Sequence, residues 1–156
     1  MKEFLSGRLF YIFLLITVPT AVYFINVEVQ SYLGRNALAD TGLVSTNLSE
    51  AVSRAEAEGK LVLVDVSAIW CSNCRRLDRE VFSDEGVKSV IAKDFVFTRL
   101  EYESDEGQKF LGERDVSGFP TLWLLAGDGK TVKRLRVTYD PNEFAAELRA
   151  SRGRDQ

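Results

Sequence analysis

The sequence predicts an α/β fold, a central mixed β-sheet flanked by helices and preceded by one N-terminal transmembrane helix. Three observations predict it. An uncharged apolar run, LFYIFLLITVPTAVYFI, occupies residues 9–25. From residue 47 onward, capped helical segments alternate with short strands rich in β-branched residues. Near the C-terminus, Asp128-Gly129 separates two further strands and marks a hairpin, which a last helix follows. At 156 residues and 46 % hydrophobic, the chain can bury one ordinary core.

The first element is the membrane candidate. A helix rises about 1.5 Å per residue, so the Leu9–Ile25 run falls slightly short of a ~30 Å hydrocarbon core, and Phe4, Leu5, Asn26 and Val27 extend it. Tyr11 and Tyr23 suit the two membrane interfaces, and Pro19 is tolerated in such a helix. A cleaved signal peptide is the rival reading. Its exit site is poor, since Pro19-Thr20-Ala21 puts proline where a small residue is wanted and bulky Val22, Tyr23 and Phe24 follow. Lys2, Arg8 and the α-amino group outweigh Glu3 before the run, while Glu28 comes first after it. That bias places the N-terminus in the cytoplasm and the rest on the extracytoplasmic, periplasmic side. The expected organisation is an anchor at 1–30, a linker at 31–46, a domain at 47–150 and a polar tail at 151–156.

Within the domain, Asn47 and Glu50 make a capping box for the first helix, and Gly59 stops it. LVLVDVSA, residues 61–68, reads as a strand covered on both faces. The next helix follows the two cysteines and turns Cys74, Leu77, Val81 and Phe82 inward. Ser83 is expected to open a short helix with Val87, Val90 and Ile91 facing in. FVFTRLEY (95–102) is the second strand, and 104–115 a polar helix starting at Ser104. TLWLLAG (121–127) and TVKRLRV (131–137) flank the hairpin turn. Asp140, Pro141 and Glu143 open the closing helix. A β-α-β portion followed by a hairpin implies a mixed sheet with helices on both faces.

Composition narrows the chemistry. Net charge is −3, so no basic field draws the chain to nucleic acid. The sequence has no histidine, which removes the imidazole used by triads and most catalytic zinc sites. Its two cysteines, Cys71 and Cys74, are too few for a disulfide-stapled scaffold. A tetrahedral metal site wants four ligands, with Cys or His predominant, so neither a metal nor a cofactor is expected. A working dithiol is the leading reading, with an inert, packing pair as the alternative. The thiolate attacks disulfides, and helix N-termini favour it, which suits Cys71 directly after the strand-to-helix loop. Cys74, one turn later, can close the ring after a mixed disulfide forms. Arg75 either adds positive potential there or is a solvated helix residue.

Asp65 is odd in an apolar strand, because a buried carboxylate is costly unless partnered or useful. It is read as a proton acceptor for Cys74; the alternative is a solvent-facing turn or edge position. Trp70 either shields the dithiol and offers substrate an apolar surface, or packs ordinarily. Gly118 is expected to let its loop approach the cysteines closely, with Phe119 and Pro120 ahead of the third strand.

These motifs, in this order over roughly residues 47–150, resemble the thioredoxin-like superfamily, especially the C-terminal domain of DsbD-type thiol:disulfide interchange proteins. WCSNC matches the family's Trp-Cys-x-x-Cys, VFSDEGV matches a motif of that subgroup, and Asp65 matches the aspartate behind the active site. GFPT at 118–121 matches the loop whose proline is cis. The resemblance implies a thioredoxin fold, with Cys71 as nucleophile, Cys74 as resolving thiol, and substrate held by the cis-proline loop of Gly118, Phe119 and Pro120. Ser72-Asn73 departs from Gly-Pro between the cysteines, Arg99 replaces a lysine near the aspartate, and a glycine expected near Val137 is missing. Nothing before the domain matches the multi-span electron-carrying part of the interchange protein.

The expected function is a membrane-tethered protein-disulfide reductase acting on extracytoplasmic disulfides. Its partners are disulfide-containing proteins, the lipid bilayer around residues 9–25, and a separate membrane or periplasmic electron donor. The alternatives are a disulfide oxidase or isomerase, or a non-enzymatic module for cytochrome or copper-protein maturation.

Overall fold

The computed structural model describes residues 2–114, 116 and 118–153, with backbone alone for 2–7 and 9. Asp115, Ser117 and the tail residues 154–156 lie outside the described residues, as do the charges of Lys2, Glu3 and the α-amino group. The elements run α1 (Lys2–Thr41), α2 (Leu48–Glu58), β1 (Leu61–Ser67), α3 (Ser72–Leu77), a π-helical turn (Asp78–Phe82), α4 (Glu85–Asp94), β2 (Phe95–Glu101), α5 (Asp105–Gly112), β3 (Thr121–Leu125), β4 (Thr131–Leu135) and α6 (Pro141–Arg152).

The sheet has the order β2-β1-β3-β4. β1 pairs parallel with β2 and antiparallel with β3, so it lies central and all seven of its residues are buried. Side chains alternate across a strand. Leu61 and Leu63 join a core with Leu77, Val81 and Phe82, with Val87 and Ile91 of α4, and with Phe144 and Leu148 of α6. Val62, Val64 and Val66 face the other way, onto Ala51 and Ala55 of α2 and Phe110 of α5. The mixed sheet with helices on both faces is as the sequence predicts. The β3–β4 turn is closed by the Gly129 amide donating to the Ala126 carbonyl at 2.9 Å, and Gly129 takes φ 79°, a conformation glycine adopts without strain.

The helix caps follow the sequence with one correction. Asn47, Ser104 and Asp140 each accept from amides of the first turn they open. Ser83 does not open α4. It is αR-helical and closes the preceding π turn, its amide and hydroxyl both donating to the Asp78 carbonyl at 2.9 and 2.8 Å. Asp84, which is extended, caps α4 by accepting from the Val87 amide at 3.0 Å. The VFSDEGV motif is therefore architectural. Phe82 anchors the core, edge-to-face with Phe97 and Phe144 at centroid distances of 5.4 and 5.8 Å, Ser83 ends one helix and Asp84 starts the next.

Residues 31–41, expected as part of a linker, continue α1 without a break. Their buried positions are Ser31, Gly34, Ala37 and Thr41, spaced by three and four and therefore on one face. This stripe is small rather than apolar, so its periodicity is invisible to hydropathy. It brings α1 against α3 and the π turn. A Cβ on Gly34 would overlap the Ile69 carbonyl, so only glycine permits this approach. Earlier in α1, Phe10–Ile25 is exposed along most of its length, for example Phe13 at 64 % and Ile25 at 64 %.

Candidate active site

β1 ends at Ser67, and the loop Ala68-Ile69-Trp70 carries the chain to the start of α3. Cys71 is the N-cap of that helix, with its sulfur accepting from the Cys74 amide at 3.1 Å. Helix periodicity places Cys74 one turn on, facing inward. The two are joined as a disulfide, with Cα atoms 5.3 Å apart. Cys71 is half-buried, whereas Cys74 is 1 % exposed. An incoming sulfur can therefore reach Cys71, while Cys74 is available only from within.

The sequence-predicted residues split into two sets around this pair. Trp70, Gly118 and Phe119 line one cavity of about 580 Å3, together with Tyr102, Gln108 and Leu111. Trp70 is 39 % exposed, and its indole N–H donates to the Glu103 carboxylate. Phe119 meets Tyr102 edge-to-face at 5.2 Å. The Phe119–Pro120 peptide bond is cis, as the family resemblance implies. Gly118 needs correction: it is exposed, and a Cβ there would meet nothing within 4 Å, so no close approach to the cysteines demands glycine. Arg75 is more than a solvated helix residue. Its guanidinium donates to the Gln30 side chain at 2.7 Å, tying α3 to α1.

Asp65 of β1 has no solvent exposure, which removes the solvent-facing alternative. Strand alternation puts it on the face of Leu61 and Leu63, the face α3 covers, and register sets it beside Arg99 of β2. Its Oδ1 accepts from the Ser67 hydroxyl at 2.6 Å, and its Oδ2 lies 3.4 Å from Arg99 Nη1. Among the described residues nothing donates a hydrogen bond to Oδ2. Burial pushes the Asp65 carboxyl up, against the opposing pull of Arg99 and Ser67.

Asp78 and Glu101, which sequence reasoning missed, complete this cluster. Arg99 Nη1 donates to both Asp78 oxygens at 2.9 and 3.0 Å, and its Nε donates to Glu101 at 2.7 Å. Burial raises Asp78 to about 6, opposed by Arg99 and assisted by the nearby Asp65 charge. Burial likewise raises Glu101. Burial works against the Arg99 charge too, yet the three carboxylates together raise its pKa and keep it protonated. A signal for Asp78 was present in the sequence. It falls four residues after Cys74, on the inward face of that helix, where a carboxylate is as anomalous as Asp65 in its strand.

A profile of the thioredoxin-like family matches residues 44–127, more than half of the chain. The chain belongs to the thioredoxin-like family. The DsbD thiol:disulfide interchange protein of Escherichia coli K12 is 34 % identical over 98 residues, covering 60 % of this chain but 17 % of that protein. The chain thus spans under a fifth of that relative's length. A thioredoxin from Thermus thermophilus superposes with TM-score 0.62 at 31 % identity, covering 69 % of this chain and 85 % of its own. The oxidised C-terminal domain of Neisseria meningitidis DsbD shares the fold, with TM-score 0.55 at 21 % identity over 70 % of this chain and 99 % of that one. This thioredoxin-like domain is related to DsbD-type proteins, and its Cys-x-x-Cys pair supports thiol-disulfide oxidoreductase activity.

Proposed function

We propose that the chain is a membrane-tethered protein-disulfide reductase acting on extracytoplasmic disulfides. One observation carries the chemical part, the contrast between a reachable Cys71 at a helix start and a buried Cys74 beneath it. In the reduced protein the Cys71 thiolate attacks a substrate disulfide. One substrate sulfur leaves as a thiolate and a mixed disulfide forms. Cys74 then loses its proton, attacks Cys71 and releases the second substrate sulfur. Asp65, protonatable because it is buried, is the proton acceptor for Cys74. Trp70, Gly118 and Phe119, which line the cavity next to Cys71, hold the substrate chain together with the cis-proline loop of Pro120.

The tether reading rests on α1. Its most apolar window has mean hydropathy 1.9 and is nowhere buried inside the protein, unlike a core helix. A bilayer is the environment such a surface fits. The charge bias supports an N-terminus in the cytoplasm and a thioredoxin-like domain outside. α1 carries no cysteine and cannot itself relay electrons; this reading assigns re-reduction of the pair to a separate membrane or periplasmic donor.

Equilibration of the full chain with glutathione tests the direction of transfer. A reductase has a Cys71–Cys74 potential well below the ~−180 mV typical of disulfide isomerases. A potential near the ~−120 mV of a strong oxidant such as DsbA overturns the reductase reading.

A further inference from the structure

α1 docks on the thioredoxin-like domain beside its dithiol, and the helix runs unbroken from the apolar run to that docking face. Gly34 packs on the carbonyl of Ile69, two residues before Cys71, and Gln30 binds Arg75, four residues after it. Gln30 lies five positions after Ile25, the end of the uncharged run, which is a rise of about 7.5 Å. The headgroup zone outside the hydrocarbon core is itself roughly 5–8 Å deep in each leaflet. A cleft of about 410 Å3 opens at this level, lined by Tyr23, Asn26, Val27 and Gln30 of α1 and by Trp70 and Glu103 of the domain. Tyr23 belongs to the apolar run itself, so Trp70 shares a cleft with a residue at the membrane interface. The side chains lining it are aromatic, amide, apolar and carboxylate, a mixture suited to a half-wet polypeptide at the headgroup layer.

We propose that α1 is a rigid strut holding the dithiol rim at the headgroup layer, and that this cleft receives a disulfide-bearing segment of a partner itself anchored in the membrane. This inference rests on the tether and reductase readings above and goes beyond them in fixing the height of the site and the class of substrate. The exchange is the one already balanced: the partner's S–S bond breaks and gains two electrons and two protons, and Cys71 and Cys74 become the disulfide. A continuous helix differs from a flexible tether in consequence. A flexible tether lets the domain sample many heights with similar weight, whereas a strut raises the effective concentration of the dithiol at one height only.

The test uses the full chain, reduced with dithiothreitol and reconstituted in phosphatidylcholine vesicles. Its probe is one peptide disulfide, offered free in solution or coupled to phosphatidylethanolamine headgroups through a spacer of about 5 Å or about 60 Å. At equal surface density the short-spacer peptide should be reduced at least about fivefold faster than the long-spacer one. A variant with about ten Gly/Ser residues inserted between Val27 and Glu28 frees the domain by roughly 17 Å while leaving residues 28–41 docked. Because the insertion also carries Tyr23, Asn26 and Val27 away from the cleft, each rate is taken relative to the same protein's rate on the soluble peptide; on that scale the variant should reduce the two lipid-linked peptides at rates within about twofold of each other. Equal rates on both spacers by the unmodified, vesicle-bound chain overturn this inference alone. So does an insertion variant that keeps the short-spacer preference. A chain that does not sediment with the vesicles, or that leaves the soluble peptide oxidised, overturns the tether or reductase reading and this inference with it.

Discussion

Nη1 of Arg99 lies 2.9 and 3.0 Å from the two carboxylate oxygens of Asp78. The same nitrogen is 3.4 Å from Asp65, to which it makes no hydrogen bond. Among the described residues the one buried guanidinium is thus held mainly by the carboxylate on the cysteine-bearing helix, together with Glu101. Asp65 keeps one buried oxygen without a hydrogen bond. Three carboxylates share one cation, and burial favours the protonated form of each.

That imbalance makes stability depend on pH in a stated direction. Asp78 is raised from 3.8 to about 6 in the folded protein, so between those values the native state binds more protons than the unfolded one. Stability is then fully present below about pH 4 and declines as pH rises through about 6, by on the order of 3 kcal/mol for this group. Asp65 and Glu101, also raised, add in the same direction. Urea titrations of the oxidised protein at pH 5 and 7.5 should show the higher midpoint at pH 5. Asp78→Asn should flatten the slope between them, and an unchanged slope would assign the dependence elsewhere.

Removing the cation should be costly. Arg99→Met leaves Asp65, Asp78 and Glu101 without their common partner, and breaking a buried ion cluster on one side costs about 3–5 kcal/mol. The loss should be larger at pH 7.5 than at pH 5, where protonation of the carboxylates relieves it. Thermal melts at the two pH values check this; a loss equal at both would mean that Arg99 serves only as packing.

Asp65→Asn separates catalysis from stability. The variant keeps the size of the side chain and cannot accept a proton. Attack through Cys71 should be retained, while release of the mixed disulfide near neutral pH should slow by roughly 10²-fold, the scale of general base catalysis. Stability should hold or rise, because an ionisable buried group becomes neutral. Stopped-flow reduction of a peptide disulfide from pH 6 to 9 resolves the two steps. Equal release rates throughout would leave Asp65 a structural residue.

Much of this was legible in the sequence because it rests on local patterns. The alternation of capped helices with β-branched strands, caps such as Asn47 and Asp140, and the Asp128-Gly129 turn predicted the layered sheet, and a carboxylate between Val64 and Val66 stood out as anomalous. What stayed hidden depends on contacts between distant segments. The docking of α1 uses Ser31, Gly34 and Ala37, whose smallness carries no hydropathy signal. The Asp78–Arg99 bond spans 21 positions, and a π turn that no propensity announces lies between them. Ser83 was assigned to the wrong helix because Ser and Asp are both good N-caps, and only backbone geometry shows which residue is extended.

The anchor reading predicts that the mature chain begins upstream of the apolar run and remains in the membrane fraction after carbonate washing. N-terminal sequencing of the fractionated protein checks it. A soluble product starting at or beyond Val22 would replace the anchor with a cleaved signal.

The division of labour between the two cysteines is the central claim, and trapping tests it most directly. Cys74→Ser should accumulate a mixed disulfide between Cys71 and a substrate, because the reachable thiol still attacks and the buried resolving thiol is gone. Cys71→Ser should accumulate almost none, since Cys74 is 1 % exposed. Non-reducing gels of both variants, with the adducts identified by mass, give the answer. Adducts on Cys71 alone are the predicted result; equal trapping through Cys74 in the Cys71→Ser protein would contradict the account.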